Sequence, residues 1–563
     1  MPSAFPLLRR RGVNIFMKPI FIFLLFISCG KSGGEDPPPD PVIPPSLTFN
    51  GLKVNGVYNG FIYNNINKKP VLKFSFSAPL NTGTAANSVT FKTKTGASTA
   101  FATSFENNDS TIVIMPSSDL ESLTQYDVGV STALQSKTGA ALQAALSVKL
   151  LTAIDSTDKF PVISDDALLT LVQQQTFKFF WDFAHPVSGM IRDRNQNPDI
   201  VTTGGTGMGV MAIITGIHRN FITRQQGMTR VATIVDFLRT KATPYHGAFA
   251  HFINGASGVT IPFSEKDNGA DLVETSLLMQ GLLTARQHFD GADVAETKLR
   301  TDINDLWNKV EWSWFRKSNE NVLYWHWSPQ YNWDMNMKIQ GWNEALIVYV
   351  LAAGSSSSGI PKEAYDNGWA SNGAIKNGNS YFGVKLPLGP PNGGPLFFAH
   401  YSFLGLNPKT LSDAYANYWD QNVAHSKINF NYCKTNPKSF YGYSELCWGL
   451  TASDNNAGGY SAHSPTNDLG VISPTAAISS LPYTPVESMN ALKFFYYKLG
   501  DRIWKEYGFV DAFNLTDIWF ANSFLAIDQG PQIIMIENHR SALLWNLFMS
   551  CPEVKAGLVK LGF

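Results

Sequence analysis

Charge is scarce in this sequence: 16% of its 563 residues are Asp, Glu, Lys or Arg, with 44 basic against 44 acidic. Phosphate binding needs a basic face, and the Lys and Arg are scattered, so nucleic acid is excluded as a partner. Cysteine is scarce too, at four. The three that lie deep in the chain, Cys433, Cys447 and Cys551, are too few for a disulfide framework, although a Cys433–Cys447 bridge stays open. No HExxH or CxxC occurs, and His246 and His251 stand five apart with no third partner nearby, so neither a metal nor a cofactor is implied. The run Gly204-Gly205-Thr206-Gly207-Met208-Gly209 lacks a preceding strand and a following Lys-Ser/Thr, which removes the dinucleotide and P-loop readings. Those glycines serve close helix packing or substrate approach. Ser444-Glu445 and Gly442 form no GxSxG elbow.

Aromatic residues, by contrast, are abundant at 13%, with 14 Trp, 20 Tyr and 38 Phe. They suit a neutral ligand better than a charged one. The length allows one large domain and a smaller one.

Near the start, residues 19–27 are almost wholly apolar, follow Lys18 and run into Ser28-Cys29-Gly30. That stretch is too short to span a bilayer. A charged n-region, a short apolar core and a small residue before cysteine resemble a bacterial lipobox, with an ordinary signal cut elsewhere as the alternative. Residues 1–28 are then a signal peptide, whose true start is Met17 on this reading, and Cys29 is the lipidated first residue. The Pro- and Gly-rich segment 29–45 is a stiff tether. The protein is expected to be exported and lipid-anchored to the bacterial outer membrane, meeting the membrane only through that lipid.

Residues 46–154 alternate with period two, as in Lys73-Phe74-Ser75-Phe76 and Tyr126-Asp127-Val128, between turns rich in Gly, Asn, Asp and Ser. Short strands at this spacing predict a β-sandwich. It resembles the bacterial Ig-like modules placed ahead of exported enzymes and is read as a spacer, with glycan binding as the alternative. From about 163 to 563 the period becomes 3.6. Ser164-Asp165-Asp166 caps a first helix, and others are predicted over 208–220, 227–241, 272–289, 295–310, 342–353, 411–432, 485–499 and 539–549. Many helices with long aromatic loops and no convincing parallel strands predict an all-α toroid of paired helices, with one cleft at the inner helices' ends.

Two places carry the chemistry. Glu265, Asp267, Asp271 and Glu274 fall within ten residues at a loop-to-helix junction, Asp271 near the helix start and Glu274 on the same face. Acids that only complement a helix dipole are the plain alternative. Glu344, in Gln340-Gly341-Trp342-Asn343-Glu344-Ala345, opens a strongly apolar helix, where desolvation raises a carboxyl's pKa and suits it to donate a proton; a capping glutamate is the competing reading. Two carboxyls of unequal environment are what glycoside hydrolysis uses. Trp325, Trp327, Trp342 and Trp448 offer stacking faces for sugar rings, beside Tyr331 and Trp333, and His251 and Arg194 are candidate sugar ligands.

At these residues a resemblance emerges. Ser264-Glu265 through Asp271-Leu272-Val273-Glu274-Thr275, the Gln340 to Ala345 motif, Trp448-Gly449-Leu450-Thr451-Ala452-Ser453-Asp454, Tyr507-Gly508-Phe509-Val510-Asp511-Ala512-Phe513 and Ile527-Asp528-Gln529-Gly530-Pro531 resemble the "glycoamylase" domain of bacterial exported proteins. More narrowly, the chain is similar to glycoside hydrolase family 144, the β-1,2-glucanases. The resemblance implies an (α/α)6 barrel that cleaves β-1,2-glucan with inversion. It assigns Glu344 as general acid, Asp267 or Asp271 to the base relay, and Glu274 to holding a sugar hydroxyl. Two rivals remain: a non-catalytic surface glycan-binding lipoprotein, and a polysaccharide lyase in which Arg192 and Arg194 would neutralise a uronate.

Overall fold

The computed structural model describes residues 46–563; the expectations for the export signal, for Cys29 and for the tether up to Pro45 fall outside the described residues. The chain divides between Ala153 and Ile154 into two compact units.

The first unit has eight strands: β1 (Phe49–Val54), β2 (Ile62–Ile66), β3 (Leu72–Phe76), β4 (Val89–Thr93), β5 (Phe101–Glu106), β6 (Thr111–Pro116), β7 (Gln125–Val130) and β8 (Leu146–Thr152), with a short α1 (Thr82–Ser88) before β4. They form two four-stranded sheets, β1-β3-β6-β5 and β2-β8-β7-β4. Leu72, Phe74 and Phe76 point inward from β3 while Lys73 and Ser75 face out, and Val89, Phe91, Tyr126, Val128 and Val130 answer from the other sheet to make one sandwich core. Strands β2 and β5 carry no clear alternation in the sequence and were not predicted. Both are sheet edges, and β5 has no fully buried residue, so neither needs a strong apolar face.

The second unit is helical: α2 (Asp165–Trp181), α3 (Thr203–His218), α4 (Arg224–Thr240), α5 (Leu272–His288), α6 (Val294–Lys309), α7 (Leu346–Gly354), a single turn α8 (Lys362–Ala364), α9 (Tyr418–Thr435), α10 (Pro474–Ser479), α11 (Pro485–Ile503), α12 (Ala526–Ser541), α13 (Leu543–Ser550) and α14 (Pro552–Leu561). Ser164 caps α2 by accepting from the Ala167 amide. Residues 203–216 of α3, 272–286 of α5 and 346–353 of α7 are buried all round, which marks them as inner helices. Helices α4 and α6 bury one stripe each and pack together outside. Helix α3 packs on α5 and α12, and α7 packs on α14.

Backbone meets backbone at the α3–α5 crossing. A Cβ on Gly207 would lie 2.1 Å from the Leu277 carbonyl oxygen, and one on Gly281 would lie 2.1 Å from that of Gly207. Close helix packing is therefore the use the structure makes of this glycine. The predicted helix over 539–549 is in fact two, broken at Ala542, which adopts a left-handed conformation (φ 57°). Cys433 and Cys447 are buried free thiols and form no bridge. No helix among the described residues is long and apolar enough to cross a membrane.

Short strands set the site. β9 (Ile200–Thr202), β10 (Phe252–Asn254) and β11 (Thr260–Ile261) form one small sheet, β12 (Ala270–Asp271) pairs with β13 (His326–Trp327), and β14 (Ser380–Tyr381) with β15 (Val384–Lys385) and β16 (Ala452–Asp454) with β17 (Tyr460–Ala462) form hairpins.

Candidate active site

Asp271 is the last residue of β12 and the N-cap of α5. Its Oδ1 accepts from the amides of Val273 (3.0 Å) and Glu274 (2.9 Å), two donors that a helix start leaves free. The β12–β13 register sets Asp271 opposite His326. The other carboxylate oxygen lies 3.2 Å from His251 Nδ1 and 3.6 Å from His326 Nε2, and His326 Nε2 also lies 3.2 Å from Asp267 Oδ2. All four groups thus share one network. Burial opposes the charge on Asp271, yet the hydrogen bonds from the two histidines hold its pKa well below the usual carboxylate range. Burial also opposes the His251 charge, but Glu274 and Asp271 hold its pKa up to about 10. Asp267 is pushed up by burial, only partly countered by His326.

Glu274 faces inward one turn into α5. Its Oε2 accepts from the Gly204 amide (2.7 Å) at the start of α3 and from Thr202 Oγ1 (3.2 Å). A Cβ on Gly204 would come within 2.8 Å of that oxygen. Burial raises the Glu274 pKa in spite of these donors.

Glu344 is not in α7 but in the turn before it, and is 6% exposed. Ser402 fixes that turn, its hydroxyl donating to the Glu344 carbonyl while accepting from the Ile347 amide (3.0 Å). Burial pushes the Glu344 carboxyl up to about 7, and the nearby charges of Asp271 and Glu274 add to the rise. Tyr401 joins this region to a second acidic one: its hydroxyl donates to the Ile527 carbonyl (3.0 Å) and lies in the electrostatic field of Asp528, Glu344 and Glu274.

The remaining predicted residues divide. Arg194 lies in the second acidic region, its Nε 3.0 Å from Asp193 Oδ2 and its Nη1 3.2 Å from Asp454 Oδ1. Arg192 donates instead to the carbonyls of Pro198 and Phe183, which occupies the guanidinium that a lyase would need. Trp325 is buried, its ring stacked near His326, and Trp327 is half-buried and edge-on to His246. Trp342 and Trp448 are core residues rather than stacking faces. The Trp342 ring packs among Trp369, Phe403 and Tyr418, and its Nε1 donates to His425 Nδ1 (3.3 Å). Trp448 is fully buried edge-on to Phe430. Large apolar area accounts for both: a buried indole stabilises the core whether or not a ligand is near.

Sequence reasoning missed His326, Trp314 and Tyr401. His326 is far from the acids in sequence, and the β12–β13 pairing brings it to them. Trp314 is 41% exposed and stacks on His246 at 4.0 Å. Among the described residues, Asp267, Asp271 and His326 bring their ligand atoms within 4.8 Å of one another and are the ones that could hold a cation. Burial opposes a charge on His326, but Asp271 and Asp267 raise its pKa and so favour a positive charge between the two carboxyls.

Both units resemble known proteins. The Glycoamylase family model, described as "Putative glucoamylase", matches residues 336–552, and the bacterial Ig-like domain model matches 63–152. An endo-β-1,2-glucanase from Chitinophaga pinensis, solved with sophorotriose and glucose, is 50% identical with a TM-score of 0.69, over 71% of this chain and 99% of that one. A β-1,2-glucanase from Parabacteroides distasonis is 37% identical with a TM-score of 0.70, over 92% of this chain and 73% of that one. A curated relative from Parabacteroides distasonis, an exo β-1,2-glucooligosaccharide sophorohydrolase (non-reducing end), is 46% identical over 429 residues. That match covers 72% of this chain, which spans 59% of the relative's length. An endo-β-1,2-glucanase from Talaromyces funiculosus, at 9% identity and a TM-score of 0.50 over 71% of this chain and 92% of that one, shares the fold alone.

Proposed function

We propose, from the premise that the chain belongs to the glycoamylase family of the glycoside hydrolase family 144 type, whose relatives are β-1,2-glucanases and sophorohydrolases, that it hydrolyses β-1,2-glucan by an inverting acid–base mechanism. The observation that carries the reading is Glu344: a buried carboxyl with a pKa of about 7, in the field of an ionised Asp271, keeps a substantial protonated fraction at neutral pH, as a group that protonates a leaving oxygen must. An (α/α)6 arrangement of the inner helices would present both acids to one cleft.

In the proposed reaction Glu344 gives its proton to the glycosidic oxygen as the C1–O bond breaks, and a water attacks C1 from the opposite face. The water's proton passes to a base. Asp271 has both oxygens engaged, by two amides and two histidines, so it acts as orienter and counter-charge, and Asp267 with His326 completes the base relay. Inversion requires the two carboxyls to stand ~6.5–9.5 Å apart with that water between them. Glu274, held by Gly204 and Thr202, positions a sugar hydroxyl. His251 and Arg194 are further hydrogen-bond donors to sugar, and Trp325 and Trp327 beside His326, with Trp314 stacked on His246, are candidate aromatic surfaces for the chain.

The enzyme is proposed to work as an exported lipoprotein at the outer membrane; the lipobox-like sequence ending at Cys29 supports this. Product analysis on β-1,2-glucan and a panel of other glucans and uronides, for wild type beside Glu344→Gln, tests the function. Sophorose-series products from wild type, lost in a variant that stays folded, are expected. Glucan bound but uncleaved by wild type would make the protein a binding module, and an ultraviolet-absorbing unsaturated product would make it a lyase.

A further inference from the structure

The buried network of the site meets solvent chiefly at one member. The His251 side chain is 20% exposed, against 1% for Asp271, 6% for Asp267 and 8% for His326. Against His251 stands a residue the mechanism does not use. Phe263 is 51% exposed, and its ring centre lies 4.7 Å from that of His251 and 5.5 Å from that of Phe252. The His251 and Phe252 centres are 4.5 Å apart, so the three close a tight triangle in which both neighbours lie on one side of Phe263. The solvent-exposed part of the ring faces away from them.

Solitary apolar rings at a surface are common and need no purpose. This one is tied to the reacting groups by its backbone as well as by its ring. The amides of Phe263 and Ser264 donate to the Asp267 carbonyl (2.9 and 3.4 Å), and the Asp267 amide donates back to the Ser264 carbonyl (3.2 Å), so one closed turn carries both the ring and Asp267. Phe252 lies opposite Thr202 in the β9–β10 register, and Thr202 donates to Glu274. His251 lies against Asp271. Each support of the ring therefore leads to one of the acids. A pyranose presents an apolar C–H face bordered by hydroxyls, and a flat ring already fixed beside polar groups receives that face without first ordering a loop.

We propose that Phe263 is a stacking platform for the substrate: a glucosyl unit outside the two that flank the reacting bond rests its C–H face on the open side of the ring, and the chain passes His251 on its way to the acids. The inference deepens the β-glucan hydrolase reading and rests on it. Phe263 then sets the strength of binding and leaves the chemical step to the acids.

The test is calorimetric titration of full-length protein with β-1,2-glucan in a Glu344→Gln background that blocks turnover, beside steady-state kinetics in protein that keeps Glu344. Phe263→Ala is expected to raise Kd and KM about tenfold while kcat changes less than about threefold, the loss expected of an aromatic contact residue. Phe263→Trp, which keeps a flat face, should bind within about threefold of the parent, whereas Phe263→Leu, apolar but not flat, should bind as poorly as Phe263→Ala. The melting temperature should change little in all three, because half of the ring is already in water. Normal binding by Phe263→Ala, binding restored by Phe263→Leu, or a loss confined to kcat would each overturn the platform, the last by making the residue a support for Asp267 alone. A Kd that rises only together with a fall in Tm, and that Phe263→Trp does not restore, would show a purely structural ring and overturn it too. If wild type cleaves no glucan but the Kd pattern appears, the hydrolase reading falls and the platform stands. If wild type cleaves glucan and Phe263→Ala changes neither Kd nor KM, the platform falls alone; no binding by any of these proteins overturns both.

Discussion

Replacing Glu344 with glutamine should make the protein more stable as well as inactive, with a pH signature fixed by the site. In the fold the carboxyl sits at about 7 against an ordinary 4.5, chiefly because it is buried. A raised pKa means that the neutral form is favoured by folding, so this group's contribution is fully present below pH 4.5 and is lost as pH rises through 7. The gap between the two values corresponds to about 3 kcal/mol at pH 8. Glutamine has nearly the same shape and never ionises, so the variant escapes the loss. With ~2.1 cal/mol/K per residue over the roughly 400 residues of the helical unit, about 3 kcal/mol is about 3–4 °C in Tm. Thermal unfolding of full-length wild type and variant in half-unit steps from pH 4 to 9 should give a Tm difference that grows between about pH 4.5 and 7 and then levels. The variant's kcat on β-1,2-glucan should be lower by about 10²–10⁴. A Tm difference that does not change with pH would refute the desolvated carboxyl, and undiminished activity would remove Glu344 as the proton donor.

Other sites give equally direct expectations. His326→Ala leaves Asp267 and Asp271 facing each other in a buried site, so a loss of about 3–5 kcal/mol is expected at pH 7, smaller at pH 4 where Asp267 takes a proton; denaturant unfolding at the two pH values reads the contrast. Gly207→Ala forces a Cβ to 2.1 Å from the Leu277 oxygen, and the α3–α5 crossing must open. That should cost at least about 1–3 kcal/mol and also lower kcat, because Glu274 takes its donor from the start of α3; unfolding and steady-state kinetics on one preparation check both. Trp448→Phe should cost about 1–3 kcal/mol of stability with an unaltered KM, and a tenfold rise in KM would return this residue to the sugar-binding surface.

Much of this was legible in the sequence, and the failures are instructive. Ser164 as a cap, Asp271 at the start of α5 and Glu274 on the same face follow from local rules that operate within one turn. Helix starts read less well where the residues are poor helix formers. Helix α3 begins at Thr203, ahead of the predicted 208, because burial between α5 and α12 overrides the weak propensity of Thr and Gly. The edge strands β2 and β5 were missed for want of an apolar face. At the site, the closeness of Asp267, Asp271 and Glu274 is legible because carboxylates gathered in one short stretch stand out in a chain so poor in charge. His326 and Tyr401 were not, because their partners are brought to them by strand pairing and helix packing, which have no local trace. The tryptophans show the converse error, since an indole in a loop looks the same in sequence whether it faces a sugar or fills the core.

The glycine crossing of α3 and α5 has a bearing on how such an enzyme can change. Because main chain rests on main chain there, the separation of α3 and α5 at Gly207 and Gly281 is set by the width of a peptide group, not by a rotamer or by the length of a side chain. Asp271 and Glu274 stand at the start of α5, one of the two helices that meet at this contact, while the 319–338 and 449–473 loops lie outside it. Such a division lets insertions and sequence drift in the rim retune which chain length or chain end is gripped while the reacting groups stay where they are. Loop exchange between endo-acting and sophorose-releasing relatives would then be a practical route to new specificities.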